Sequence, residues 1–171
     1  MEKLLPFSAN TEAFGVRASV AREGAKLCFR YELTDPAGEV LGGPVAGDYR
    51  GVPRADGLWQ RTCFEAFFAR KGSPGYWELN VAPDGSAWNL YRFDGYRLPQ
   101  PPAPSEDFTL ERVSAGVSTL ACWLAPRAEV GELEVNLCAV VKTKSATHYL
   151  SARHAGEKPD FHVRAGFVLK V

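Results

Sequence analysis

Charge of one sign, paired cysteines and long hydrophobic runs are all missing from this chain, and each absence closes off a class of function. Lys and Arg number 20 and Asp and Glu number 20, a formal net charge of +0. A neutral chain without a basic run lacks the electrostatic footprint that nucleic-acid binding requires. The same balance argues against adsorption to an anionic membrane surface. No stretch approaches the roughly 18 apolar residues of a membrane span. The opening Met1-Glu2-Lys3-Leu4-Leu5-Pro6-Phe7 has no apolar run of signal-peptide length, so a cytoplasmic protein is expected. The cysteines, Cys28, Cys63, Cys122 and Cys138, are scattered and include no Cys-x-x-Cys pair. Each lies in an apolar, strand-like run and is expected to be a reduced, buried, small hydrophobe. At 171 residues the chain fits one domain, 1–171, with a core large enough to need neither metal nor disulfide.

What is present is a period of two. Phe14–Val20 and Leu27–Leu33 alternate like strands, and a Gly- and Pro-rich loop follows from Asp35 to about Gly57. Strand patterns resume at Arg61–Ala69, Tyr76–Val81 and Ala87–Phe93, split by turn-forming Gly, Pro, Asp and Ser. Leu98–Glu106 carries four prolines and can be neither helix nor central strand. Phe108–Val113, Val117–Leu124, Glu132–Lys142, Thr147–Leu150 and Gly166–Val171 complete the set, with one short helical piece expected around Pro126–Val130. Short strands at such spacing predict an all-β fold, an antiparallel β-sandwich or barrel.

Side chains alternate across a strand, so each strand sorts into two faces. Phe64, Phe68, Trp77, Leu79, Leu90, Leu133, Val135 and Leu137 fall on the apolar faces and are expected to form the core. The opposite faces mix amide, carboxylate, guanidinium and phenol groups at Arg61, Glu65, Tyr76, Glu78, Asn80, Tyr91 and Asn136. Such a set suits the hydroxyls of a sugar; it is also what the solvated side of an ordinary antiparallel sheet looks like. Trp59, after a Gly-containing loop, is the better candidate for a stacking platform, whereas Trp88 belongs by alternation with the core row. Glu65 and Glu78 share a face of neighbouring strands, as the carboxylates of a glycosidase do. Hydrogen bonding to a ligand, or a structural pair with Arg61, is the preferred reading of them. His148, His154, Asp160 and His162 are spaced six, six and two apart, which matches no compact zinc motif, so no metal site is expected. Asp160 and the histidines more simply fasten a loop across the sandwich.

Leu58-Trp59-Gln60-Arg61-Thr62-Cys63-Phe64-Glu65-Ala66-Phe67, Tyr76-Trp77-Glu78-Leu79-Asn80, Pro83 and Tyr91-Arg92-Phe93-Asp94-Gly95-Tyr96-Arg97 together resemble a DOMON-like domain. The resemblance is to the bacterial branch similar to family 9 carbohydrate-binding modules. Tyr149-Leu150-Ser151-Ala152-Arg153-His154, then Lys158-Pro159-Asp160-Phe161-His162 and Phe167, are similar to the C-terminal signature of that group. The resemblance implies a jelly-roll-like β-sandwich and a sugar or haem ligand, and adds weight to His154, Asp160 and His162 as loop or ligand contacts. A haem held by a Met and His pair is not expected, because Met1 is the only methionine. No cofactor is expected at all. With no export signal and no second domain, a soluble metabolite or intracellular glycan suits the chain better than an external polysaccharide. The leading expectation is a non-catalytic binder of a small sugar-like ligand through Trp59, Arg61, Glu65, Glu78, Asn80, Tyr91 and Asn136. A small enzyme using Glu65 and Glu78, or a protein-interaction module using the polar face, are the alternatives. The sequence sets no oligomeric state.

Overall fold

The structure, a computed structural model, describes residues 1–9 and 13–171. The strands are β1 (Glu2–Lys3), β2 (Leu5–Pro6), β3 (Gly15–Glu23), β4 (Lys26–Thr34), β5 (Gly47–Tyr49), β6 (Cys63–Arg70) and β7 (Tyr76–Val81). They continue as β8 (Trp88–Phe93), β9 (Ala103–Pro104), β10 (Phe108–Ala115), β11 (Thr119–Pro126), β12 (Leu133–Lys142), β13 (Thr147–Ser151) and β14 (Leu169–Lys170). Two antiparallel sheets form the expected sandwich. One has the order β1-β3-β4-β11-β10-β5, and the other β2-β13-β12-β6-β7-β8-β9, with β14 also pairing with β12.

The core lies between the sheets and holds all eight residues expected there, from Phe64 to Leu137, together with Trp88. Aromatic pairs bridge the two layers: Tyr31 stacks on Phe64 with centroids 4.6 Å apart, and Phe29 packs on Phe68 at 5.6 Å. The Tyr31 hydroxyl satisfies itself by donating to the Glu65 carbonyl at 2.7 Å.

Three local readings differ from the structure. No helix forms around Pro126–Val130: β11 runs on to Pro126, and the Arg127 N–H donates to the Asp107 carbonyl across the hairpin instead of to its own turn. The Gly- and Pro-rich loop contains β5, which adds to the edge of the first sheet along β10. Arg61 is not in a strand. A 3-10 turn over Leu58–Gln60, entered through Gly57 at φ 71°, takes the Arg61 N–H back to the Leu58 carbonyl, and β6 begins only at Cys63. The proline-rich stretch does keep to the sheet margin, where β9 pairs only with β8 and a missing N–H costs nothing.

The second face of the second sheet is not a solvated one. Glu65 is 2% exposed, Glu78 6%, Asn80 0%, Tyr91 2% and Asn136 1%. A second apolar cluster covers this face, built from Phe67, Tyr76, Tyr91, Phe93 and Val140 on the strands and from Phe161 and Phe167 on the C-terminal segment.

Candidate functional site

Between that sheet and its covering loops lies a cavity of about 260 Å³. Its floor comes from β6, β7, β8 and β12, which contribute Glu65, Phe67, Glu78, Phe93 and Val140. Its walls come from Trp59 on the 3-10 turn, from Arg97, Gln100 and Pro102 on the proline-rich loop, from Tyr149 on β13, and from Pro159, Phe161 and His162. Ligand pockets for drug-sized molecules run to about 300–1,000 Å³, so this one suits a molecule of a single ring.

Sheet register sets the carboxyls. Glu65 lies opposite Asn80, and Phe67 opposite Glu78, so the two glutamates are diagonal neighbours on one face of β6 and β7. Asn80 donates its amide to Glu78 Oε1 at 2.7 Å. Glu65 Oε1 is buried and has no hydrogen-bond partner among the described residues. Burial, with the charge of Glu78 adding to it, pushes the Glu65 carboxyl well above its ordinary range. Burial pushes Glu78 up to about 7, with the Asn80 hydrogen bond and the Arg97 cation pulling the other way. At neutral pH the pair therefore retains at least one proton.

His162 stands over Glu78. Its Nδ1 lies 2.8 Å from the Tyr76 hydroxyl, which also accepts the Arg97 N–H at 3.1 Å. The phenol proton is thus free for Nδ1, which leaves the imidazole proton on Nε2, facing Glu78 Oε2 at 3.8 Å. Burial first, then the Arg97 cation, hold the imidazole down at about 4. At neutral pH this contact joins a neutral imidazole to a carboxyl and is no ion pair.

Asp160 fastens the cover. It accepts Tyr96 Oη at 2.5 Å, an Arg97 guanidinium N–H at 3.0 Å and the His162 backbone N–H at 3.0 Å. These bonds tie the loop after β8 to the C-terminal segment. They hold Arg97 at φ 54°, a left-handed conformation that a side-chain-bearing residue adopts at some cost.

The structure thus brings Trp59, Glu65, Glu78 and His162 to one cavity. Asn80 orients Glu78 from behind. Tyr91 is engaged elsewhere, donating to Asp56 at 2.7 Å, and supports Trp59 edge-on at 5.8 Å. Asn136 accepts Ser151 Oγ at 2.9 Å and donates to the Arg153 carbonyl, holding the start of the C-terminal segment. His154 meets the Leu5 carbonyl at 2.8 Å and packs on Phe7; His148 packs on Phe14. The histidines are therefore dispersed, and among the described residues no group of three or more His, Cys, Asp or Glu side chains could hold a metal. Arg61 departs furthest from expectation: exposed, it lies in a separate groove beside Lys142 and Thr143, and no pair with Glu65 or Glu78 forms. The turn that displaced it from β6 also broke the alternation on which its placement rested. Phe67, Phe93 and Val140 were legible as cavity residues, because they share a strand face with Glu65, Tyr91 and Asn136. Arg97, Gln100 and Pro102 carry no periodic signal.

No protein-family model and no curated protein sequence matches the chain. Among solved structures it is similar to a candidate carbohydrate-binding protein from Bacteroides uniformis, at a TM-score of 0.63 and 15% identity. The match covers 98% of this chain and 84% of the other. At that identity the likeness defines the class of fold, a β-sandwich like that of the Bacteroides protein.

Proposed function

We propose that this protein is a non-catalytic binder of a small sugar-like molecule, held in the cavity between Trp59 and the Glu65–Glu78 floor. The observation that carries this reading is the cavity itself: rings on its walls, two buried carboxyls on its floor, and room for a single ring. Aromatic faces suit the C–H side of a pyranose, while carboxyls and an imidazole N–H suit its hydroxyls. The Bacteroides neighbour adds support at the level of fold. So does the resemblance of the motifs around Leu58–Phe67 and Tyr91–Arg97 to DOMON-like domains similar to family 9 carbohydrate-binding modules. A second reading, an enzyme on the same ligand class, is favoured by Glu78 titrating at about 7, where a general acid or base works best.

A thermal-shift screen against monosaccharides and related polyols tests the proposal, followed by titration of Trp59→Ala and Glu78→Gln with any hit. In a binder, Glu78→Gln weakens affinity by about 1–3 kcal/mol. In an enzyme it abolishes turnover and leaves binding largely intact. Failure of every sugar to stabilise the protein would sink the proposal.

A further inference from the structure

The cavity floor holds more acceptor than the fold uses. Glu78 Oε1 takes the Asn80 amide, but Oε2 is 3.8 Å from His162 Nε2, too far for a hydrogen bond. Glu65, 2% exposed, lines the same cavity, and its Oε1 is buried without a partner among the described residues. Among the described residues no cation is in hydrogen-bonding contact with these carboxyls, and Arg97 acts on Glu78 only through its field. Arg61 lies in another groove, Arg97 is bound to Asp160 at 3.0 Å, and His162 is neutral. Phe67 and Phe93 lie beside them on the floor and Trp59 and Phe161 on the walls, aromatic rings whose π faces attract positive charge.

We propose that the cavity selects a ligand bearing a primary ammonium group, an amino sugar or an amine of similar size, with the ammonium seated between Glu65 and Glu78. This rests on the reading of the cavity as a ligand site. An ammonium has three N–H donors and no acceptor, which complements an unpartnered carboxyl oxygen beside a second, half-satisfied carboxyl. A neutral hydroxyl offers a single donor and leaves the carboxyls to share a proton. Seating the cation drives that proton out to solvent. The other groups facing the pair are Cys63 on the same strand, Tyr76 and Asn80 on β7, Tyr91 on β8, Cys138 on β12, and Arg97, Asp160 and His162 from the cover. Burial keeps both thiols and both phenols protonated, Arg97 stays charged in its pair with Asp160, and His162 titrates at about 4. Proton release near neutral pH therefore comes from the carboxyl pair.

Calorimetry on the full chain would use matched sets: D-glucose, D-glucosamine and N-acetyl-D-glucosamine, their galacto and manno counterparts, and cyclohexylamine as an amine that is not a sugar. At pH 6.5 at least one amino sugar should bind ten-fold or more tightly than its neutral and acetylated partners. Titration in two buffers of different ionisation enthalpy should show net proton release. The preference should collapse in Glu65→Gln and in Glu78→Gln. Equal binding of amino and neutral sugars would overturn the ammonium site and leave the sugar reading standing. Binding of cyclohexylamine with no sugar bound would do the reverse. Binding by none of the probes would overturn both.

Discussion

Replacing Glu78 with Gln should make the protein more stable at neutral pH, although it removes a hydrogen-bonded carboxyl from a buried site. Gln is nearly isosteric, and its carbonyl oxygen can still accept the Asn80 amide that Glu78 Oε1 accepts at 2.7 Å. What the change removes is a proton-linked cost. Below an ordinary value of 4.5, Glu78 is protonated in both folded and unfolded chains and costs nothing. As pH rises, the unfolded chain ionises while the folded one holds its proton up to about 7, so unfolding is increasingly favoured. That span is about 2.5 pH units, and at 1.36 kcal/mol each the penalty reaches roughly 3 kcal/mol by pH 7. The advantage of Glu78→Gln over wild type should thus be near zero at pH 4, grow by about 1.4 kcal/mol per pH unit, and level off above pH 7. His162 has the opposite sign. Its folded value of about 4 lies below the ordinary 6.5, so it contributes stability that is present above 6.5 and lost as pH falls toward 4. A non-titrating His162→Gln escapes that loss, so its stability relative to wild type should rise by roughly 3 kcal/mol between pH 7 and pH 4. Urea unfolding followed by tryptophan fluorescence between pH 4 and 8.5 measures both differences. If the difference between Glu78→Gln and wild type does not change with pH, the Glu78 carboxyl binds its proton equally in the folded and unfolded chains, and the burial of the carboxyl pair does not raise it.

Leu137→Ala should destabilise the fold by about 2–5 kcal/mol in the same assay, because Leu137 is fully buried between the sheets. Trp59→Ala should leave the urea midpoint almost unchanged, since Trp59 is 39% exposed, and weaken ligand binding in titration; a large loss of stability would mean the ring is structural. Asp160→Asn should loosen the Tyr96–Arg97 loop, read as faster amide exchange over residues 95–102, and unaltered exchange would show that the loop holds itself. Thiol titration of the unfolded protein should find all four cysteines reactive, whereas two blocked pairs would place the chain in an oxidising compartment.

The alternating runs of Cys63–Arg70, Tyr76–Val81 and Leu133–Lys142 by themselves determined the sandwich, the core from Phe64 to Leu137, and the sharing of one face by Glu65, Glu78 and Asn80. A period of two is a local property of the chain, and burial on one side is enough to enforce it. What covers the other side is not local. Only the tertiary structure decided that the face of Glu65 and Glu78 is enclosed. The cover comes from Trp59, Arg97 and His162, residues far apart in sequence and without periodicity, brought together by Asp160 and by the apolar packing of Phe161 and Phe167. Arg61 shows the same limit from the other direction. One 3-10 turn ahead of Cys63 was enough to send its side chain into a different groove, because alternation carries information only where a strand is actually paired. The carboxyls' titration was likewise beyond the sequence, since desolvation depends on the lid and not on the strand.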